Sequence, residues 1–217
     1  MKRLLMPILL MMIVVNVAAQ TETKRHEVAL SYGIAPLTQG LDLFIFQEYV
    51  ENKIGDVMGM DIKANNIESH GSYCLQYTYQ PVRWFEYGVV SCLDRTTATV
   101  YQEVYTIDST NYYRSEKDLI GVGALTFFTF MPVVKVNWFD IKFLGMYSKL
   151  ALGFTHCLVK GNNLRNATTS YDVKSFEDIG YQISPICLQV GTPAFRTFIE
   201  AGFGYQGLIN IGFNYKF

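Results

Sequence analysis

The last ten residues, Leu208 to Phe217, read LINIGFNYKF. Ile209, Ile211, Phe213, Tyr215 and Phe217 fall on one face of this stretch. Leu208, Asn210, Gly212, Asn214 and Lys216 fall on the other. A period of two marks a β-strand, here with one apolar and one mostly polar face. As a free edge in water such a strand would invite aggregation. As the closing strand of a transmembrane barrel it would set its apolar face against lipid and its polar face against a lumen.

The same alternation recurs upstream. His26 to Ala35 would place Val28, Leu30, Tyr32 and Ile34 toward lipid, and Glu27, Ala29, Ser31 and Gly33 toward the lumen. Gly71 to Gln80 sends Tyr73, Leu75, Tyr77 and Tyr79 out, and Cys74, Gln76, Thr78 and Gln80 in. A turn at 81–84 leads to a strand from Phe85 to about Thr97, with Glu86, Gly88, Val90 and Cys92 inward. Leu119 to about Lys135 is a strand of ambiguous register, with Pro132 suggesting a bulge or an approaching turn. Val136 to Ile141 turns the chain into a strand from Phe143 to Cys157, with Tyr147, Lys149 and Ala151 inward. Ile179 to Val190 has Gln182 and Ser184 inward, and a turn at 191–194 follows. Arg196 to Gln206 has Ile199, Ala201, Phe203 and Tyr205 outward and Glu200 inward, and Gly207 is the tip of the last hairpin.

These stretches make eight strands, joined alternately by short turns and by long polar connections at 37–70, 102–118 and 159–178. Short turns on one side and long loops on the other fit an eight-stranded antiparallel transmembrane β-barrel with both termini periplasmic. In the first connection, Phe46, Val50, Ile54 and Val57 recur at helical spacing, predicting a helix from about Leu41 to about Met58. That helix would sit at the barrel mouth or bind a partner; extensions of the strands are the alternative.

Lys2 and Arg3, the apolar run Leu4 to Val15, and the small residues Val17, Ala18 and Ala19 read as a signal peptide over 1–19. The barrel then occupies 20–217. Without Lys2 and Arg3 the chain has 16 basic and 19 acidic residues, a net charge of −3, and no basic stripe to suggest nucleic acid. Among 217 residues, 15 are Tyr and 15 are Phe, a usage that suits interfacial aromatic girdles.

The repeated strand–turn–aromatic pattern and the ending FIEAGFGYQGLINIGFNYKF resemble the small bacterial outer-membrane β-barrel proteins, the eight-stranded class that includes OmpX and the transmembrane domain of OmpA. The resemblance spans essentially the whole mature chain. It implies a Gram-negative outer membrane, with outer-membrane lipid and lipopolysaccharide around the barrel and loops at the cell surface. It also implies that Phe213, Tyr215 and Phe217 form the C-terminal sorting signal read by the barrel-assembly machinery. The function expected is non-enzymatic, structural in the envelope or mediating surface interactions, with no cofactor. A narrow, porin-like channel is the alternative, and a lipid A-modifying enzyme a more distant one.

The candidate site is the lumen. Eight strands enclose a space that side chains can fill. Glu86, Lys149, Glu200 and Lys216 have inward parity, and isolated charges there would be costly, so pairing is expected. With the hairpin centred at Gly207, Glu200 would lie opposite Asn214, with Lys216 as its diagonal neighbour. Cys74, Cys92, Cys157 and Cys187 contain no C-x-x-C motif, and four packed thiols are the expectation. Cys74 and Cys92 share lumen parity across the 81–84 turn, so a disulfide between them is the alternative. His26, His70 and His156 are too scattered for a metal cage. His70 and Ser72 echo the H-x-S pair of lipid A deacylase barrels, but their shared parity points both into the lumen. Asn166-Ala167-Thr168 matches a glycosylation sequon and reads as surface loop.

Overall fold

The computed structural model describes residues 25–38, 62–107, 113–163 and 170–217. The signal peptide expected over 1–19, the helix expected from about 41 to about 58 and the sequon at 166–168 lie outside the described residues.

Eight strands form: β1 (His26–Ile34), β2 (Ile62–Val82), β3 (Phe85–Ile107), β4 (Tyr113–Asp140), β5 (Leu144–Asn163), β6 (Ser170–Gly191), β7 (Phe195–Gly204) and β8 (Ile209–Lys216). Each pairs antiparallel with the next, and β8 pairs with β1 to close the barrel. The expected count and order therefore hold. The seam closes at the chain's end, where His26 and Phe217 exchange backbone hydrogen bonds of 3.0 and 2.8 Å.

The strand bounds need correction. β1, β7 and β8 have 9, 10 and 8 residues, close to the roughly 9–11 of one tilted bilayer crossing. β2 to β6 have 21, 23, 28, 20 and 22, about twice that. Much of the three connections expected at 37–70, 102–118 and 159–178 is continued strand. Beyond the bilayer a sheet can be polar on both faces, so these segments carry no apolar period of two and read as loop. Val136 to Asp140 likewise remains in β4, and the turn is confined to 141–143. Pro132 sits inside β4 with no register shift; the irregularities lie between Leu119 and Gly121 and between Asn137 and Phe139.

Among the register shifts, those at Gly71 and Pro185 change which side chains face inward. Register slips between Ser69 and Ser72, where Gly71 takes a φ of 74°. A Cβ at Gly71 would lie 2.6 Å from the Gly33 carbonyl oxygen, so both the conformation and the space call for glycine. The slip buries Ser72 and leaves His70 exposed, contrary to the shared lumen parity expected of them. The second bulge is at Pro185, between Ile183 and Ile186, and it turns Cys187 and Gln189 inward. Ser148 Oγ donates to the Pro185 carbonyl at 2.5 Å.

The last hairpin is also shifted from the expected centre. β7 ends at Gly204, the turn spans 205–208, and Glu200 pairs with Asn210, while Asn214 pairs with Arg196. Gln182 pins this turn: its Nε2 donates to the Gly207 carbonyl at 3.1 Å, and its Oε1 accepts from the Gln206 backbone N–H at 2.9 Å. Tyr205, expected outward, is buried, and its hydroxyl donates to Asp178 Oδ2 at 2.6 Å.

Candidate functional site

The barrel inverts the polarity of a water-soluble protein. Leu75, Leu150, Leu152, Phe154, Ile183 and Ile211 stand exposed on the outside. At the short-turn end Trp84 and Trp138 are 61% and 64% exposed, near Phe139 and Phe143. An apolar belt edged by aromatic side chains is the exterior that a bilayer-spanning barrel requires. On the inside, glutamates, lysines, amides and hydroxyls are buried.

Strand alternation brings three lysines and three glutamates together inside. Lys135 Nζ lies 2.5 Å from Glu27 Oε1 and 3.9 Å from Glu86 Oε2. Lys216 Nζ lies 3.0 Å from Glu86 Oε1 and 3.5 Å from Glu27 Oε2. Thr78 Oγ1 and Asn137 Nδ2 donate to Glu86 at 3.2 and 3.0 Å. Lys149 donates to Glu200 Oε2, and Tyr147 OH donates to Glu200 Oε1 at 2.6 Å. Lys135 Nζ also sits 4.9 Å from the centre of the Tyr147 ring, joining the two groups of charges. All six charged residues are under a tenth exposed. Such pairs are tolerated in a low-dielectric interior only when the charges balance and their hydrogen bonds are made.

Of the residues singled out by parity, Glu86, Lys149, Glu200, Asn214 and Lys216 are all buried inside. Their pairing differs from the expectation. Glu200 meets Lys149, not Lys216: in register it lies beside Cys187 on β6, which lies beside Tyr147 on β5, so its carboxylate reaches over β6 to the β5 lysine. Lys216 instead meets β1 and β3 partners. Asn214 donates to Gln189 Oε1 at 3.2 Å. Lys135 and Arg196 were missed as interior charges. Lys135 ends the strand whose register was ambiguous; in the structure it shares the inward face with Phe127, Thr129, Met131 and Val133. Arg196 opens β7, where its guanidinium reaches Asp140 at 2.7 Å and the Ile141 carbonyl at 3.1 Å.

Toward the long-loop end, an apolar layer crosses the lumen: Cys74, Val90, Cys92, Met131, Val133 and Ala151. Cys74 and Cys92 are paired across β2 and β3 and form a disulfide, so the expectation of four thiols is corrected to two, Cys157 and Cys187. Both of these thiols are buried. Among the described residues no group of three or more His, Cys, Asp and Glu side chains could hold a metal ion. His26 instead packs on Phe217, with ring centres 5.7 Å apart, and bonds to Tyr77 OH at 2.8 Å. Phe213 stacks on Phe195, and Tyr215 on Phe217.

A closed eight-stranded barrel, apolar outside and ion-paired inside, has the architecture of the small outer-membrane barrels. No family model matches the chain, and no curated protein matches it. Among solved structures it is similar to Ail, the attachment invasion locus protein of Yersinia pestis, in complex with the heparin analogue sucrose octasulfate. That match has 12% identity and a TM-score of 0.42, and covers 90% of this chain and 100% of that one. A second Ail structure matches with 11% identity and a TM-score of 0.41, at the same coverage. No residue role transfers at that distance.

Proposed function

We propose that this chain is a non-enzymatic outer-membrane barrel that holds a wall of long strands outside the cell, as an envelope-structural or surface-contact element. The reading is carried by the inverted polarity: an apolar, aromatic-edged exterior around an interior of paired lysines and glutamates. Outer-membrane lipid and lipopolysaccharide would contact the belt, both termini would lie in the periplasm, and the assembly machinery would read Phe213, Tyr215 and Phe217. The extended parts of β2 to β6 exceed one crossing and are the portion available to a surface partner.

The layered lumen supports a sealed barrel over a channel. An ion traversing it would have to separate the Lys135, Lys149 and Lys216 pairs and then pass the disulfide and Met131. Against a deacylase, Ser72 is fully buried in the lumen while His70 is exposed, so they form no lipid-facing pair.

Fractionation of expressing cells, combined with a heat-modification gel, tests the location. The protein should appear in the outer membrane and migrate differently before and after boiling. Recovery as a soluble periplasmic protein overturns the reading. In planar bilayers it should give no steady conductance; a stable single-channel current would establish the narrow channel instead. Mass spectra of lipid A should be the same with and without expression.

A further inference from the structure

Below the apolar layer the three buried glutamates face ammonium groups; above it, Asp94 does not. Asp94 is 3% exposed and accepts a hydrogen bond on Oδ2 from the Thr38 hydroxyl. Its Oδ1 has no hydrogen-bond partner within the protein. Among the described residues no lysine or arginine forms an ion pair with it. Besides Thr38, the groups that favour its charged form are the Arg95 backbone and His70, which is exposed at the rim. A buried carboxylate left in that condition is costly.

Two other buried side chains also carry orphan atoms. Gln206 Oε1 and both side-chain polar atoms of Asn210 lack hydrogen-bond partners within the protein, and both residues are essentially fully buried. Register sets Asn210, Gly33, Ser72 and Asp94 side by side on β8, β1, β2 and β3. The turn after β7 folds Gln206 over them, its Nε2 3.7 Å from Cys92 Sγ, two residues from Asp94. The turn and Asn210 pack together against Gly33: a Cβ there would lie 2.5 Å from Asn210 Oδ1 and 1.5 Å from the Gln206 carbonyl oxygen. So many orphan groups in one buried place need an explanation.

We propose that Asp94, Gln206 and Asn210 form a binding site for a hard cation at the outer end of the lumen. The orphan acceptors are a carboxylate oxygen and two amide oxygens, the donor set that suits Ca²⁺ or Na⁺ over soft transition metals. The disulfide sulfurs nearby are not thiolates and add no soft ligand. A single carboxylate with neutral oxygens gives weak binding, in the range of roughly 10⁻⁴ to 10⁻³ M that extracellular calcium modules show.

The test uses the full-length barrel refolded in detergent with its disulfide intact and stripped with chelator. Its unfolding midpoint is followed by heat-modification gel while CaCl₂, MgCl₂ or NaCl is titrated, with choline chloride holding the ionic strength constant. The wild type should gain stability saturably, in the millimolar range, with Ca²⁺ or with Na⁺. Asp94→Asn should unfold at a higher temperature than wild type in chelator, because the uncompensated charge is gone, and should lose the cation response. If Asp94→Asn does not fold, Gln206→Ala should weaken the apparent affinity several-fold. A wild type that responds to no cation overturns the site, as does a response unchanged in these variants.

Discussion

Lys135 on β4 reaches across the lumen to Glu27 on β1, bringing Nζ within 2.5 Å of Oε1. These strands are not neighbours, so the pair ties opposite walls of the barrel together. It also anchors the β1 end of the seam, since Glu27 and Lys216 are paired across β1 and β8. Removing one member strands a buried charge, a loss of about 3–5 kcal/mol. Glu27→Ala should therefore lower the unfolding midpoint in urea with detergent. Glu27→Ala combined with Lys135→Met removes both charges of the pair and should recover part of that loss. Failure of the double variant to recover any stability would show that the pair does not act as a unit.

Glu200 offers a sharper test of sealed barrel against channel. It is held by Lys149 and Tyr147, with the apolar layer between this pair and the outer mouth. Glu200→Ala should unfold at a lower temperature, by about 3–5 kcal/mol or less where water enters. Conductance should barely change, because Met131 and the disulfide still block the path. Unchanged melting with a large rise in conductance would make this face a gate.

The disulfide is a separate source of stability. Cys74 and Cys92 close a loop of 18 residues through the β2–β3 turn, and such a cross-link restricts the unfolded chain by about 3 kcal/mol. Cys74→Ser should fold but melt earlier by about that amount. In the folded wild type, an alkylating reagent should modify neither Cys157 nor Cys187; both should react after unfolding, and Cys74 and Cys92 only after reduction. Rapid alkylation of four thiols in the native barrel would contradict this pairing.

Period-two alternation made the membrane-level fold legible, including the inward parity of Glu86, Lys149, Glu200 and Lys216. It works there because lipid outside and a packed polar lumen inside impose opposite demands on successive residues. It failed where that contrast ends. The polar run from 102 to 118 reads as loop although residues up to 107 and from 113 belong to paired strands. It failed too at single-residue irregularities. The slips at Gly71 and Pro185 and the turn at 205–208 each follow from local backbone geometry, and each changed the face or the partner of a residue. Glu200 was thus placed on the correct face but beside the wrong lysine.

Phe217 is more than the last side chain of an apolar stripe. Its backbone completes the β1–β8 seam with His26, and its ring stacks on both His26 and Tyr215. Deleting it removes two backbone hydrogen bonds at closure together with the terminal aromatic that the sorting signal would present. The variant should show a lower level of heat-modifiable protein in the outer membrane. Normal levels would argue against both the sorting role and the importance of this seam.

The orientation of the barrel can be tested with single cysteines, because the native thiols are buried or bridged and give a low background. Lys142 lies in the short turn between β4 and β5 and is exposed. Asn65 lies near the opposite end, on the extended part of β2, paired with Thr99. If the termini are periplasmic, the short turns are too, and the extended strands face outward. A membrane-impermeant maleimide added to intact cells should then label Asn65→Cys and spare Lys142→Cys. Opening the outer membrane should expose Lys142→Cys without changing the other. Surface polysaccharide could slow the first reaction, so it should be measured in a strain with truncated lipopolysaccharide. Labelling of Asn65→Cys only after the membrane is opened, with Lys142→Cys labelled in intact cells, would invert the topology.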